Sequence, residues 1–359
     1  MTEVVTGIGS ELYWAREASF KNAGVGMPIT ATATHQPLNP IEGEAVIPTP
    51  IYEQEQHYTT GSLEPDSSLT HDSKYGPGEG SFPNGDGFIY RDPMFMLAIL
   101  FPNKAITGTW AGGAASYGKI VGNFTLLTYE DTVMIQYLTK DLGGTVVETR
   151  TVLGVKCNKF RIGFKEGGVL RTWYDLIAAQ ELDNTRAYSA VAAFDDGRWA
   201  DWAKSTFYPT TAVKIFWDDS FAAELADIQI TEAYFDIHTP QDYKTEKSSL
   251  VPFVRANSNR EYTAEITGWV TGDTELDELR VAYASKTKKN LRMQWDENTS
   301  EEKFIDIDDA YIESMTETLV PAAGNAWKVT LTFRGYTCDY EGNFENLTDP
   351  STGTRVNGA

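Results

Sequence analysis

The chain has 359 residues, and its 30 Lys and Arg residues against 51 Asp and Glu residues give a formal net charge of −21. The hydrophobic fraction of 41% is high enough to form buried cores, which excludes a disordered chain. Recognition of nucleic acid requires a basic patch, but the richest basic stretch, residues 286–292, is short and lies among carboxylates. The composition therefore predicts a folded protein of one large or two ordinary domains, without a phosphate-binding surface.

Cysteine content and hydropathy limit the cellular setting. Cys157 and Cys338 are too few and too far apart to form a disulfide framework or a zinc site. The first residues contain neither the basic nor the apolar stretch of a secretion signal. The longest apolar run, Met94–Phe101, is too short to cross a bilayer. We expect a soluble protein that is made in a reducing compartment and has no membrane partner.

The first half of the chain contains one predicted long loop, one helix and several strands. Thr59–Asn84 is rich in Gly, Ser, Pro and Asp, which predicts a long exposed loop. Asp92–Leu100 has Asp at the N-cap and Pro at the first helical position, which predicts a short helix. Phe124–Leu138 predicts a hairpin that turns near residues 130–131. Val169–Ile177 is apolar on both faces and predicts a central strand.

The second half contains the clearest alternation of apolar and polar residues. Glu261–Gly268 and Trp327–Arg334 each place apolar side chains at every second position, which predicts two half-buried strands. Thr274–Tyr283 predicts a helix, because acidic residues fill its first turn and Leu276, Leu279 and Tyr283 share one face.

The starts of the two predicted helices resemble each other. Gly87–Pro93 and Gly268–Thr274 both contain Gly, an aromatic residue, a β-branched residue, two further residues and Asp, at an offset of 181 positions. A loosely alternating segment, a Gly break and a Trp-containing strand follow in each half, where the offset falls to about 157. This pattern predicts an internal duplication of a strand–helix–strands unit.

Residues that could carry catalysis form no recognised arrangement. The histidines have no metal-binding spacing, and no nucleophile elbow or phosphate-binding loop occurs. Neighbouring carboxylates are abundant, but solvated charge is their simpler interpretation in an acidic chain. We therefore predict no catalytic, cofactor-binding or metal-binding residues and no enzymatic activity. The histidines are His35, His57, His71 and His238, and the carboxylate groups are Asp218-Asp219, Glu301-Glu302 and Asp306-Ile307-Asp308-Asp309.

Several segments occur in an order that is typical of one family. They are an N-terminal arm with Gly7, Gly9 and Trp14–Glu17, then Pro48–Tyr58 and the long loop, then Gly87–Leu97, Gly154–Gly168, Thr267–Val270 and Leu276–Tyr283. In this order the chain resembles the tail tube proteins, or major tail proteins, of bacteriophages with long, non-contractile (siphovirus-type) tails and of related viruses. The resemblance covers nearly the whole chain.

The resemblance implies a mainly β fold of antiparallel β-sandwich domains, each with a short flanking helix. It implies that inner sheets of several domains close into a ring-shaped β-barrel. The corresponding division is an N-terminal arm at 1–50, a first tube-like domain at 51–205 with the loop at 59–84, and a second at 206–359. If the domain is duplicated, three chains form a ring of six domains, and a ring of six chains is the alternative. Ring closure would cover exposed sheet edges.

The function implied by the resemblance is a structural one in the virion. Stacked rings would form the hollow tail tube that delivers viral DNA, after assembly in the host cytoplasm with tape measure, tail terminator and baseplate proteins. An acidic lumen would repel double-stranded DNA and allow its passage without specific binding. The strand face Glu261, Thr263, Glu265 and Thr267 is a candidate lining. The alternative is a carbohydrate-binding or adhesion β-sandwich protein of a virion or cell surface.

Overall fold

The computed structural model describes residues 11–16, 36–37, 51–53, 74–76, 78–82, 87–89, 93–101, 103–108, 117–124, 132–140, 146–182, 209–221, 224–225, 228–245, 252–257, 259–270, 273–295, 303–320 and 326–345. Within these residues the chain is mainly β, with antiparallel pairing between all of its paired strands. Two α-helices accompany the strands, α1 at Pro93–Leu100 and α2 at Asp273–Ser285.

The strands are numbered in chain order. They are β1 Glu11–Arg16, β2 Gln36–Pro37, β3 Ile51–Glu53, β4 Lys74–Gly76, β5 Gly78–Phe82, β6 Phe88–Ile89, β7 Asn103–Gly108, β8 Tyr117–Asn123, β9 Val133–Lys140, β10 Val146–Lys165, β11 Arg171–Ala178, β12 Gln180–Leu182, β13 Val213–Trp217, β14 Ile228–His238, β15 Gln241–Thr245, β16 Pro252–Asn257, β17 Glu261–Val270, β18 Lys289–Trp295, β19 Lys303–Val320, β20 Ala326–Gly335 and β21 Thr337–Glu345.

One long sheet organises the molecule. Its strand order begins with β5 and β6, which lie end to end along one edge of β11, and continues with β11, β10, β14, β17, β20 and β19. A second sheet has the order β13, β18, β19, β21, β8 and β7. Strands β10 and β19 are long enough to belong to two sheets each, and the first part of β10 pairs with β9 and β12. Strand β19 therefore joins the long sheet to the second sheet, and β10 joins the long sheet to the sheet that contains β9 and β12.

Alternation of residue types explains the central strands. In β20, Val329, Leu331 and Phe333 are fully buried, while the residues between them lie on the opposite, polar face. In β17, the apolar positions are likewise buried and Glu261 and Glu265 are exposed. Both predicted strands are confirmed, as are the central strand after residue 169 and the two helices.

The core lies between the apolar face of the long sheet, the second sheet and the helices. The Trp217 ring of β13 packs edge-on against Phe333, with 5.2 Å between ring centroids. The Trp217 indole N–H also donates a hydrogen bond of 3.1 Å to the Ala310 carbonyl, which fixes the second sheet to the middle of β19. Helix α1 contributes Phe95, whose ring contacts Tyr174 of β11 at 5.2 Å. The two sheets thus share one core.

Some sequence predictions differ from the structure. The hairpin predicted for Phe124–Leu138 stays a prediction, because residues 125–131 lie outside the described residues. Its last part falls in β9, which pairs with β1 and β10. Two strands, β4 and β5, lie within the predicted loop Thr59–Asn84, since β3 and β11 supply their backbone partners. Tyr283 of α2 is 37% exposed, although Leu276 and Leu279 are buried.

The boundaries proposed at residues 50 and 205 stay predictions. Strand pairs β10–β14 and β8–β21 join residues from both sides of the second boundary.

Candidate assembly surface

The two halves of the long sheet follow the same order. In the first half, β6 precedes α1 and pairs with β11, which pairs with β10. In the second half, β17 precedes α2 and pairs with β20, which pairs with β19. Strand β14 lies between the halves, next to β10 and β17. Four steps from strand to strand separate β10 from β19. Because each step is antiparallel and their number is even, the two strands run in the same direction.

Both long strands are bent at equivalent places. Gly154 in β10 and Asp309 in β19 have left-handed backbone angles, with φ of 64° and 52°. A bulge follows each of them, at Asn158 in β10 and at Glu313 in β19. Asp309 follows Gly154 by 155 residues, and Glu313 follows Asn158 by the same interval. A one-residue insertion in either strand would break this correspondence, because register is fixed residue by residue.

The bulge of β10 is held by the residues that follow β14. The Thr239 backbone N–H donates to the Asn158 carbonyl at 2.8 Å, and the Thr239 hydroxyl donates to the Cys157 carbonyl at 2.7 Å. The Gln241 backbone N–H donates to the Asn158 side-chain oxygen at 3.0 Å. These bonds satisfy the carbonyls that a bulge removes from the ladder.

The bulge of β19 is held by a lysine instead. The Lys286 ammonium donates to the carbonyls of Ile312 and Glu313, at 2.8 and 3.1 Å. It also lies 4.2 Å from the centroid of the Tyr283 ring. Ile312 and Glu313 follow Cys157 and Asn158 by the same interval of 155 residues. Lys286 therefore binds the carbonyls that correspond to those bound by Thr239 in β10. A lysine at this position is a known protection of sheet edges.

Beyond the bulge, β19 forms an edge of the long sheet. From Ser314 to Val320 it pairs with β20 on one side, and no described strand lies on the other side. Leu319 is 44% exposed, and its cross-strand partner Trp327 is 38% exposed. Among the described residues, this edge combines backbone without a second partner strand with apolar and β-branched side chains, which favours the addition of another strand. At the opposite end of the sheet, β5 pairs with β11 alone among the described residues.

The polar face of the long sheet carries charges of both signs. Arg161 makes a two-pronged pair with Asp236, at 2.7 and 2.8 Å, and its guanidinium lies 5.1 Å from the centre of the Tyr234 ring. The hydrogen bonds to Asp236 raise the pKa of Arg161 above its usual value. The basic residues on this face are Lys159, Arg161, Lys165, Arg171, Lys328 and Arg334, and the acidic residues are Asp175, Glu232, Asp236, Glu261 and Glu265.

The predicted lining residues lie on this face. Glu261 and Glu265 are exposed, Thr263 is partly exposed and Thr267 is buried. The Thr267 hydroxyl lies 3.0 Å from the Thr330 hydroxyl of the next strand. The net charge of the chain is −21, but the candidate lining carries basic as well as acidic side chains and is therefore not uniformly acidic.

The acidic group at Asp306 has a structural role. Arg292 binds Asp306 with two hydrogen bonds of 2.7 Å, and the Arg292 guanidinium lies 3.6 Å from the ring centroids of both Phe221 and Phe304. Burial raises the pKa of Asp306 to about 6, although the bonds to Arg292 oppose this shift. Asp339 lies directly opposite on β21, and burial raises its pKa as well. The two hydrogen bonds to Arg292 thus hold the Asp306 carboxylate within the second sheet.

Two other carboxylates named from the sequence also accept hydrogen bonds within the fold. The Asp308 carboxylate accepts a hydrogen bond of 2.7 Å from the Thr337 hydroxyl, and the Asp219 carboxylate accepts one of 3.1 Å from the Asn290 backbone N–H. The pair Glu301-Glu302 lies outside the described residues.

The histidines and cysteines form no site in the described residues. His35, His57 and His71 lie outside those residues, and His238 ends β14. Cys157 and Cys338 are buried free thiols, and burial raises both pKa values. Over the described ranges, no group of three or more metal-ligating side chains occurs. The helices in the same ranges are too short or too polar to span a membrane.

No protein-family model matches this chain, and no curated protein matches it. Interpretation of the function therefore depends on the geometry of the long sheet. The residues that matter most there, Lys286 and the bulge residues Ile312 and Glu313, were missed by sequence reasoning, because a bulge leaves no pattern in one sequence.

Proposed function

We propose that this protein is a structural, non-enzymatic subunit that assembles into rings, and that stacked rings form the tail tube of a virus with a long, non-contractile tail. The observation that carries the proposal is the edge of β19 after Ser314, which no described strand covers, at the end of a sheet with two similar halves. The long sheet of one chain can be extended at this edge by the long sheet of a second copy that runs in the same direction. When further copies close into a ring, no sheet edge is left exposed.

The repetition within the long sheet supports an internal duplication. Strand order, strand direction, the left-handed residue and the bulge agree between the halves. A heterologous contact between copies closes into a ring when the same rotation relates successive units. If the relation between the halves also relates neighbouring chains, three chains supply six units. Six chains per ring is the alternative if only one unit of each chain contributes.

The polar face of the long sheet is proposed to line the lumen. Its basic and acidic side chains lie on neighbouring strands, as in the Arg161–Asp236 pair and the cross-strand neighbours Lys165 and Glu232. Such compensated charge gives DNA few free cations to bind, and the net charge of −21 repels the phosphate backbone at longer range. DNA passage, tape measure protein and tail terminator and baseplate proteins are the partners that this proposal includes.

A carbohydrate-binding protein is the second candidate. The observation that favours it is the exposure of aromatic side chains, with Tyr336 57% exposed and Trp327 38% exposed. However, the Lys288 ammonium lies 4.3 Å from the centroid of the Tyr336 ring, where a sugar would stack. Glycan binding by a stable monomer, measured on a glycan array, would support this candidate over assembly.

The proposal can be tested by electron microscopy of edge variants. Wild-type protein at high concentration should form rings or tubes in negative stain. Replacement of Thr316 and Thr318 by Lys adds two charges to the open edge and should abolish these particles. Replacement of Thr263 and Thr332 by Lys is the matched control, because it adds two charges to the same face on central strands that pair on both sides.

Rings from the edge variant would contradict the role of β19 as the contact strand. Failure of the wild-type chain to form any particle would contradict the assembly proposal itself.

A further inference from the structure

Strand β10 carries a stripe of basic side chains on the polar face of the long sheet. Lys159, Arg161 and Lys165 lie on this face, and Gly163 occupies the alternate position between the last two. The side chains of Lys159 and Arg161 are 42% and 37% exposed, and Lys165 is also exposed. Because apolar residues and Gly163 separate these cations along the chain, they form no contiguous basic stretch, although the strand brings them into one line.

The neighbouring strand β14 presents acidic residues to this stripe. Asp236 lies opposite Arg161 and accepts two hydrogen bonds from its guanidinium, at 2.7 and 2.8 Å. The Lys159 ammonium lies 3.9 Å from the same carboxylate, and Glu232 lies opposite Lys165. The Asp236 side chain is 15% exposed, so the cations of the stripe reach the surface while the acid that binds them is largely covered.

The equivalent positions in the second half of the long sheet carry no charge. The residues that follow the three stripe cations by 155 positions all lie in β19, and they are Ser314, Thr316 and Val320. The basic stripe therefore occurs on the long strand that β14 accompanies, and the acids that oppose it are supplied by β14.

We infer that Glu232 and Asp236 neutralise a surface of β10 that would otherwise bind the phosphate backbone of double-stranded DNA. This inference rests on the proposed passage of DNA along the polar face, and it names two residues that keep the face from retaining DNA. The net charge of the chain acts at longer range, whereas phosphate contacts need cations that are free at the surface. Pairing between β10 and β14 removes that freedom, because each cation lies beside or opposite a carboxylate.

The test is binding of a short fluorescent DNA duplex by the unassembled full chain, measured by anisotropy at several salt concentrations. The double variant Glu232→Gln, Asp236→Asn frees two cations of the stripe. The third cation, Lys159, keeps Asp175 opposite it on β11. Each freed cation that contacts a phosphate contributes about −0.9 to the slope of log affinity against log salt, so we expect a slope of about −1.8. Affinity should therefore fall about tenfold between about 50 and 200 mM salt, and the wild type should show no measurable binding.

Two controls separate the stripe from the net charge of the chain. The variant Asp277→Asn, Glu278→Gln removes two charges from exposed positions of α2 and should bind no more DNA than the wild type. Addition of Arg161→Gln and Lys165→Gln to the double variant should return binding to the wild-type level, because the freed cations are then absent. If the double variant does not fold, Asp236→Asn alone carries the test, with an expected slope of about −0.9.

DNA binding by the wild type that equals that of the double variant would overturn the inference. So would a folded Asp236→Asn variant that gains no binding. Neither result bears on ring assembly, which is read from electron micrographs of the wild-type chain. Absence of rings together with the expected gain of DNA binding would contradict the proposed function and leave the neutralising role of β14 intact.

Discussion

Replacement of Phe333 by Ala tests whether the two sheets share one core. Phe333 is fully buried in the middle of β20, and its ring packs against Trp217 of the second sheet at 5.2 Å. Truncation of a buried Phe costs about 3 to 5 kcal/mol, because apolar contacts are lost and a cavity is left. Loss of the edge-on ring contact is included in that range. Since domains are stable by about 5 to 15 kcal/mol, the loss is a large part of the total.

Urea unfolding followed by tryptophan fluorescence measures this effect. With a slope of about 3 kcal/mol per molar urea, the midpoint should fall by about 1 to 1.7 M. Thr332→Ala is the matched control, because Thr332 is the neighbouring residue on the polar face and is not fully buried. Its free energy of unfolding should change by about 0.5 kcal/mol or less. Equal midpoints for Phe333→Ala and Thr332→Ala would refute the packing of the two sheets around Phe333.

Two further predictions concern buried groups. Burial raises the pKa of Asp306 from 3.8 to about 6, so the folded state retains a proton that the unfolded chain has lost between these values. The free energy of unfolding should fall by about 1 to 3 kcal/mol as pH rises through this window. Urea titrations at several pH values check this slope, which should become smaller in Asp306→Asn, with a remainder from Asp339, and persist in full in Asp277→Asn at an exposed site. Gly163→Ala should destabilise the fold by about 1 to 3 kcal/mol, because a Cβ there would collide with the Ala233 carbonyl. Thermal unfolding measures this loss, and a melting temperature equal to that of the wild type would contradict the close approach of β10 and β14.

The parts of the fold with strict alternation could be predicted from sequence. Strands β17 and β20 have apolar residues at every second position, and burial of those positions follows directly from a period of two. Helix α1 could be placed from Asp92-Pro93, because that pair is a local signal.

The pairing of distant strands could not be predicted in the same way. Strand β8, for example, pairs with β21, more than 200 residues further along the chain. The Gly-rich strand β5 has the composition of a loop, and it forms a strand because β11 supplies a backbone partner that this composition does not indicate.

The candidate assembly surface depends on features that one sequence does not reveal. The open edge of β19 follows from the order of strands, and the position of its bulge follows from a register shift at Glu313. The predicted duplication drew on the helix starts, whereas the most exact correspondence in the structure joins Gly154 to Asp309. Both residues have left-handed backbone angles, but one is glycine and the other aspartate. The sequence therefore shows no shared residue type at these two positions.

The most direct test of the central claim is the mass of single particles, measured beside their images in the electron microscope. Three chains of 39.9 kDa would give rings of about 120 kDa that stack into hollow tubes, as the proposed duplication predicts. Rings of six chains would keep the tube function and contradict the use of both halves in one ring. A particle of 39.9 kDa at every concentration and salt condition would contradict assembly through the β19 edge.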